Sequence, residues 1–220
     1  MALEDQENLP DEYGLALAHT PVQLREPLAV VFALDQRLAR IVASATEPML
    51  AQIRLTWWRE TFQLPIDHRP SGDAVLDAAG QHCSGQEAGL IALVDGWEHL
   101  LQEPPLGEDH ALGFANGRVD ALQSVIGCDP GSPSDTAIKA AVMQWALADL
   151  AANVSDDDER TFLTNLASVQ EQVAAKLPRN ARGLAVLAAL GRRALKRGGR
   201  PLMEGRGAAL VALRAGLIGS

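Results

Sequence analysis

Leu24, Leu28, Val31, Leu34, Leu38, Ile41 and Val42 recur mostly at spacings of three and four, which places them on one stripe of a helix over 22–44 with Arg37 and Arg40 at its flanks. Thr46 is positioned to cap the next helix, Pro48 falls in the first turn, where a missing N–H leaves no bond unmade, and the pattern runs on to Gln63. Within that helix Leu50, Ile53 and Trp57 make an apolar line, and Met49 on one side with Leu55 and Trp58 on the other widen the expected burial. Arg54 falls between the line and Trp58, so its charge is expected to sit partly inside and to need a partner. Further helical segments are predicted over 71–82, 86–102, 108–126, 134–153, 157–176, 181–197 and 206–217. They are separated by Pro65 and Pro70, Pro104-Pro105, Asp129-Pro130-Gly131, Ser155, Leu177-Pro178 and Gly198-Gly199, all breakers or capping groups. No stretch alternates with a period of two and no fixed repeat emerges, so the expectation is an all-α, single multi-helix domain over 1–220, with 1–10 a disordered acidic N-terminus.

Composition agrees: hydrophobic residues reach 47% while aromatics are only 4%, with alanine and leucine dominant, which suits helices around a broad apolar interior. Apolar runs such as Leu184 to Leu190 are interrupted well before the roughly 20 residues that cross a bilayer. Glu4, Asp5, Glu7, Asp11 and Glu12 stand where a secretory signal carries a basic flank and an apolar run, so a cytoplasmic location is expected, with contact at the inner membrane as a peripheral variant. Cys83 and Cys128 have no second cysteine near either and fit neither a disulfide framework nor zinc-ligand spacing; both are expected as buried or semi-buried thiols. Charge is uneven. Residues 1–175 carry 9 Lys and Arg against 27 Asp and Glu, whereas 176–220 carry 10 against 1, so the C-terminal segment is expected to face something anionic: the rest of the fold, a partner, or membrane headgroups. Nucleic acid is not expected as a partner, because the chain is acidic overall and carries none of the known binding motifs.

The string EPMLAQIRLTWWRE at 47–60, preceded by LAVVFALDQRLARIV, resembles the first two core helices of the squalene/phytoene synthase family, particularly the divergent branch that includes the mitochondrial complex I assembly factor with a phytoene-synthase-like domain. LPRNARGLAVLAALGRRALKRGGRPL is similar to the closing region of that family, and between 65 and 175 the likeness lies in helix order and length. The resemblance implies the isoprenoid synthase fold. It also implies a comparison of motifs, because active members join two prenyl diphosphates head to head and use two aspartate-rich helical motifs to hold magnesium through oxygen ligands. Laid on the first motif, this chain has Ala39, Arg40 and Ala43, none of which binds a metal, and Arg40 reverses the sign of the charge. Asp35, one turn earlier, reads as an exposed partner for an arginine. On the second motif Asp149 and Asn153 stand at i and i+4, at best a remnant.

Other candidate groups have structural readings. Asp156, Asp157, Asp158 and Glu159 follow Ser155 and precede an apolar helical pattern, so a capping box on Ser155 is expected rather than a metal site. His19, His68, His82, His99 and His110 show no ligand spacing and are expected on the surface or in loops. Arg40, Arg54 and Arg59 are the candidates for holding a diphosphate without metal, since planar guanidinium forks match phosphate oxygens, while ion pairs with Glu47, Glu60 or acidic helices are the simpler role for them.

Three functions are consistent with these residues. The first is a non-catalytic scaffold or assembly protein with a protein partner in membrane-complex assembly and no cofactor. The second is a working prenyltransferase with relocated ligands, Asp149 among them, which alone would use magnesium. The third is a module whose cavity holds an isoprenoid or other lipid while 176–220 approaches an anionic membrane.

Overall fold

A computed structural model describes residues 9–170 and 177–218, and among these the chain forms ten α-helices and no strand. They are α1 (Asp11–Ala18), α2 (Val22–Ser44), α3 (Pro48–Gln63), α4 (Ala74–His82), α5 (Glu87–Glu98), α6 (Glu108–Ile126), α7 (Pro133–Asn153), α8 (Asp157–Val169), α9 (Arg182–Leu195) and α10 (Ala208–Ile218). The all-α expectation holds. Residues 1–8 of the expected acidic leader, and 171–176 of the expected 157–176 helix, lie outside the described residues; Leu9 already packs against the core.

α6 and α7 pack side by side at the centre, α5 covers the far side of α6, and α9 covers α7. α2 crosses this layer near α6 and α5, with α3 packed on α2 and α5. α1 and α10 both lie against α9, so the first and last described helices are neighbours. Contact between α5 and α6 is closest at Gly96 and Gly117: a Cβ on Gly117 would stand 2.5 Å from the Ala92 carbonyl oxygen and 2.8 Å from the Gly96 Cα.

Several boundaries shift for identifiable reasons. The 71–82 helix starts at Ala74 because the Asp73 carboxylate accepts from the Val75 and Leu76 N–H groups and so caps it. The 86–102 helix tightens into a 3₁₀ turn over His99–Leu101. Thr46 does not cap α3: Glu47 is its extended N-cap residue, without a side-chain bond, and Pro48 opens the first turn as expected. Ser155 does not cap α8 either. The cap is Asp156, whose Oδ1 accepts from Glu159 N–H at 2.8 Å, while the Glu159 carboxylate accepts from Leu106 N–H at 2.8 Å and Asp157 pairs with Arg160. The acidic run thus serves helix ends and loop anchoring, one residue out of the expected register. α1 has no counterpart in the sequence reading, although Tyr13, Ala16 and Leu17 bury at helical spacing.

The largest correction concerns α3. Its buried line is Ala51, Leu55, Trp58 and Phe62, whereas Met49, Leu50, Ile53 and Trp57 are exposed, Met49 at 68% and Ile53 at 59%. Two apolar stripes compete on this helix, and the one with a continuous i, i+4, i+7, i+11 register and two large aromatics at its end faces the core. Arg54 lies with the exposed stripe and is itself exposed, not partly inside. Trp57 stands edge-on to Trp58, ring centroids 5.2 Å apart.

Both cysteines are free, Cys83 buried and Cys128 half-buried, as expected; burial pushes the Cys83 thiol up to about 12 and leaves it inert as a nucleophile. None of the described helices is long and apolar enough to cross a membrane. On α10 the small residues Ala208, Ala212, Ala215 and Gly216 face inward, while Leu210, Leu213, Arg214, Leu217 and Ile218 are exposed.

Candidate functional site

Asp35 stands on the buried stripe of α2 and is 1% exposed, so the expectation of an exposed carboxylate fails. A carboxylate can enter a core only if its oxygens are supplied with donors. Four reach it from three helices. Tyr13 of α1 donates its hydroxyl to Oδ2 at 2.7 Å, and Trp97 of α5 donates Nε1–H to Oδ1 at 2.8 Å. Arg118 of α6 donates Nε–H to Oδ1 at 3.0 Å and Nη2–H to Oδ2 at 2.8 Å, a bidentate fork.

Arg118 is equally buried, at 2% exposure, and its remaining terminal nitrogen, Nη1, donates to Asp149 Oδ2 on α7 at 2.7 Å. Aromatic faces fill the space around the guanidinium: its carbon lies 4.5 Å from the Phe114 ring centroid and 4.6 Å from that of Trp145. Helical spacing explains how. Phe114 and Arg118 are i and i+4 on α6, and Trp145 and Asp149 are i and i+4 on α7, so each charged group arrives with a ring one turn away. Burial alone works against the charge on Arg118, but Asp35 and Asp149 beside it outweigh that and hold its pKa above the ordinary arginine value. Burial, then the Asp35 charge, push the Tyr13 hydroxyl well above the usual phenol range, so it stays protonated as a donor.

This network forms one wall of a cavity of about 450 Å³ between α1, α2, α6 and α7. Ala39 and Ala43 line it from α2, with Gln36 and Val42, and Asp149, Leu150 and Asn153 line it from α7. The positions set against the two metal motifs do therefore share a hollow, but the facing groups are two methyls and a carboxylate already bound by Arg118. Asn153 donates to the Asp149 carbonyl at 2.8 Å and to its Oδ1 at 3.2 Å. Glu12 of α1 completes the polar lining; burial raises its pKa, a hydrogen bond to its own backbone partly offsets that, and Asp149 raises it further.

Of the four site residues chosen from sequence, Asp149 is in the cavity and the three arginines are not. Arg40 is exposed and does not line it, so the cation on the cavity wall is Arg118 from another helix. Arg54 is exposed on α3. Arg59 is spent on α5, where it pairs with Asp95 at 2.5 Å and with Glu98, in line with the ion-pair reading. His99 and His110 approach to 3.4 Å between their Nδ1 atoms, a contact that sequence spacing did not suggest. Among the described residues, no group of three or more His, Cys, Asp or Glu side chains is placed to hold a metal ion.

Sequence reasoning missed Tyr13, Trp97 and Arg118 and misplaced Asp35. A signal existed, since Arg118 interrupts the apolar line of Ala111, Phe114, Ala115, Ala121, Leu122 and Val125, just as Asp35 interrupts that of Val31, Leu34 and Leu38. Opposite charges set into the apolar stripes of two helices predict a buried pair. No protein-family model, curated protein or solved structure matches this chain.

Proposed function

We propose that this chain is a non-catalytic protein of the squalene/phytoene synthase type that works as a scaffold in assembling a membrane-bound complex, respiratory-complex assembly being the specific version its sequence resemblance suggests. One observation carries the reading. Asp149, the acid at the second motif position, is bound by the buried Arg118 and faces Ala39 and Ala43 across the cavity. A hard divalent cation needs several oxygen ligands at once, and a single carboxylate already neutralised by a guanidinium is a poor start for such a cluster. The exposed line Met49, Leu50, Ile53 and Trp57 supports the scaffold part: it lies within the string that carries the resemblance, and it offers a partner protein an apolar helix face.

Incubation with farnesyl diphosphate and magnesium is expected to release no pyrophosphate above a protein-free blank, and affinity capture from native membranes to recover respiratory-complex subunits with the wild type but not with Ile53→Glu. Pyrophosphate release that disappears in Asp149→Ala, or capture of no such subunit in several detergents, would overturn the proposal.

In the same reading α10 rests on an anionic bilayer. Its outward leucines are flanked by Arg206 and Arg214, and residues 177–218 carry nine Arg and Lys against Glu204 alone. Co-sedimentation with phosphatidylserine-containing vesicles is expected to fall as salt rises and to be lost in Leu213→Glu; binding indifferent to salt and to that substitution removes this contact from the model of action.

A second reading, binding of a small apolar molecule such as an isoprenoid or another lipid, is favoured by the cavity itself, whose size lies in the range of small-molecule sites.

A further inference from the structure

We infer that the cavity between α1, α2, α6 and α7 selects an apolar molecule bearing a protonated amine, and discriminates against phosphate-bearing ligands of the same length. The inference rests on the ligand-binding reading above and adds the sign of the ligand's charge.

The charges decide the sign. Arg118 is the sole cation among the described lining residues, and it is shared between two carboxylates, Asp35 through a bidentate fork and Asp149 through Nη1. Glu12 adds a third acidic group within electrostatic reach of both Asp149 and Arg118. Three acids around one guanidinium leave the hollow negative, and the excess lies on the solvent-facing members: Asp149 retains 20% side-chain exposure, while Asp35 and Arg118 retain 2% and 3%. A phosphate entering here would meet Glu12 and Asp149 before it met a free guanidinium face, because the Arg118 fork points at Asp35 and rings cover its planes. An ammonium group, by contrast, has three donors for the oxygens of Glu12 and Asp149.

The walls decide the body of the ligand. Ala39, Val42, Ala43, Leu100, Leu150 and Val154 offer hydrocarbon, so the favoured molecule has an alkyl or prenyl body with its charge at one end. A divalent cation would also suit the sign, but Asp149 already accepts from Arg118 and Asn153, and among the described residues no group of three or more His, Cys, Asp or Glu side chains is placed to hold one.

Isothermal titration of the full chain with octylammonium, octanol and octyl phosphate, matched in length, tests the inference. Octylammonium is expected to bind at least tenfold more tightly than octanol, octyl phosphate more weakly than octanol, and Glu12→Gln to reduce the octylammonium preference about tenfold, or about 1.4 kcal/mol. Glu12→Gln leaves the Asp35–Arg118 pair intact, and an unchanged melting temperature confirms that the variant is folded. If octanol binds as tightly as octylammonium, or Glu12→Gln leaves the preference unchanged, the charge selection is wrong while the ligand-binding reading stands. If none of the three binds, both fall. Competition by magnesium or zinc that Glu12→Gln abolishes, with no amine preference, would overturn the inference in favour of a metal.

Discussion

Arg118→Met is expected to destabilise the fold by about 3–5 kcal/mol, because it strands the Asp35 carboxylate in the core with its strongest donors removed. Methionine keeps much of the volume between Phe114 and Trp145, so the loss reports charge rather than a void. At about 2–4 °C per kcal/mol for a chain of this length, the melting temperature should fall by roughly 10 °C. The double variant Asp35→Asn/Arg118→Met is expected to recover most of the loss, since it removes both charges while an amide oxygen still accepts from Tyr13 or Trp97. Urea unfolding of the two variants checks this. A single variant as stable as the wild type would mean that the pair contributes nothing to the core.

The second large effect is geometric. Gly117→Ala is expected to destabilise by about 1–3 kcal/mol even though alanine is the better helix former by about 1 kcal/mol. The added Cβ would stand 2.5 Å from the Ala92 carbonyl oxygen and 2.8 Å from Gly96 Cα, both backbone atoms that cannot rotate away, so α5 and α6 must separate. Separation moves Trp97 on α5 relative to Arg118, which follows Gly117 directly, and so disturbs two of the groups that supply Asp35. Thermal melting measures the loss, and a change in tryptophan fluorescence should accompany it. Ala at Gly14, where nothing lies within 4 Å of a Cβ, provides the contrast and should be neutral or better.

The helices were largely legible because their apolar spacing and breakers agree, and nine of the ten described helices coincide with predicted segments to within a few residues. α1 was hidden by its brevity and by the acidic residues around it. On α3 two apolar lines were available, and spacing alone cannot say which one meets α2 and α5; bulk and register settled it in favour of Ala51, Leu55, Trp58 and Phe62. The site was legible only in part. Comparison of motifs placed Asp149, Ala39 and Ala43 on one hollow, but it also put a cation there through Arg40, when the cation comes from Arg118 on a helix with no motif to compare. Asp35 was judged as a lone charge, and a lone charge on one helix does not reveal a partner eighty-three residues away.

The adjacency of α1 and α9 has a consequence for the order in which the molecule is made. Gly183 sits so close to Ala16 and Thr20 that a side chain there would strike the Ala16 carbonyl oxygen at 2.6 Å, so α1 has its seat only after α9 exists. During synthesis, the segment bearing Tyr13 must therefore wait until the far later segment Arg182–Leu195 has left the ribosome. Until then Asp35 lacks its hydroxyl donor and the hollow lacks a wall, so its apolar lining stays open in the nascent chain.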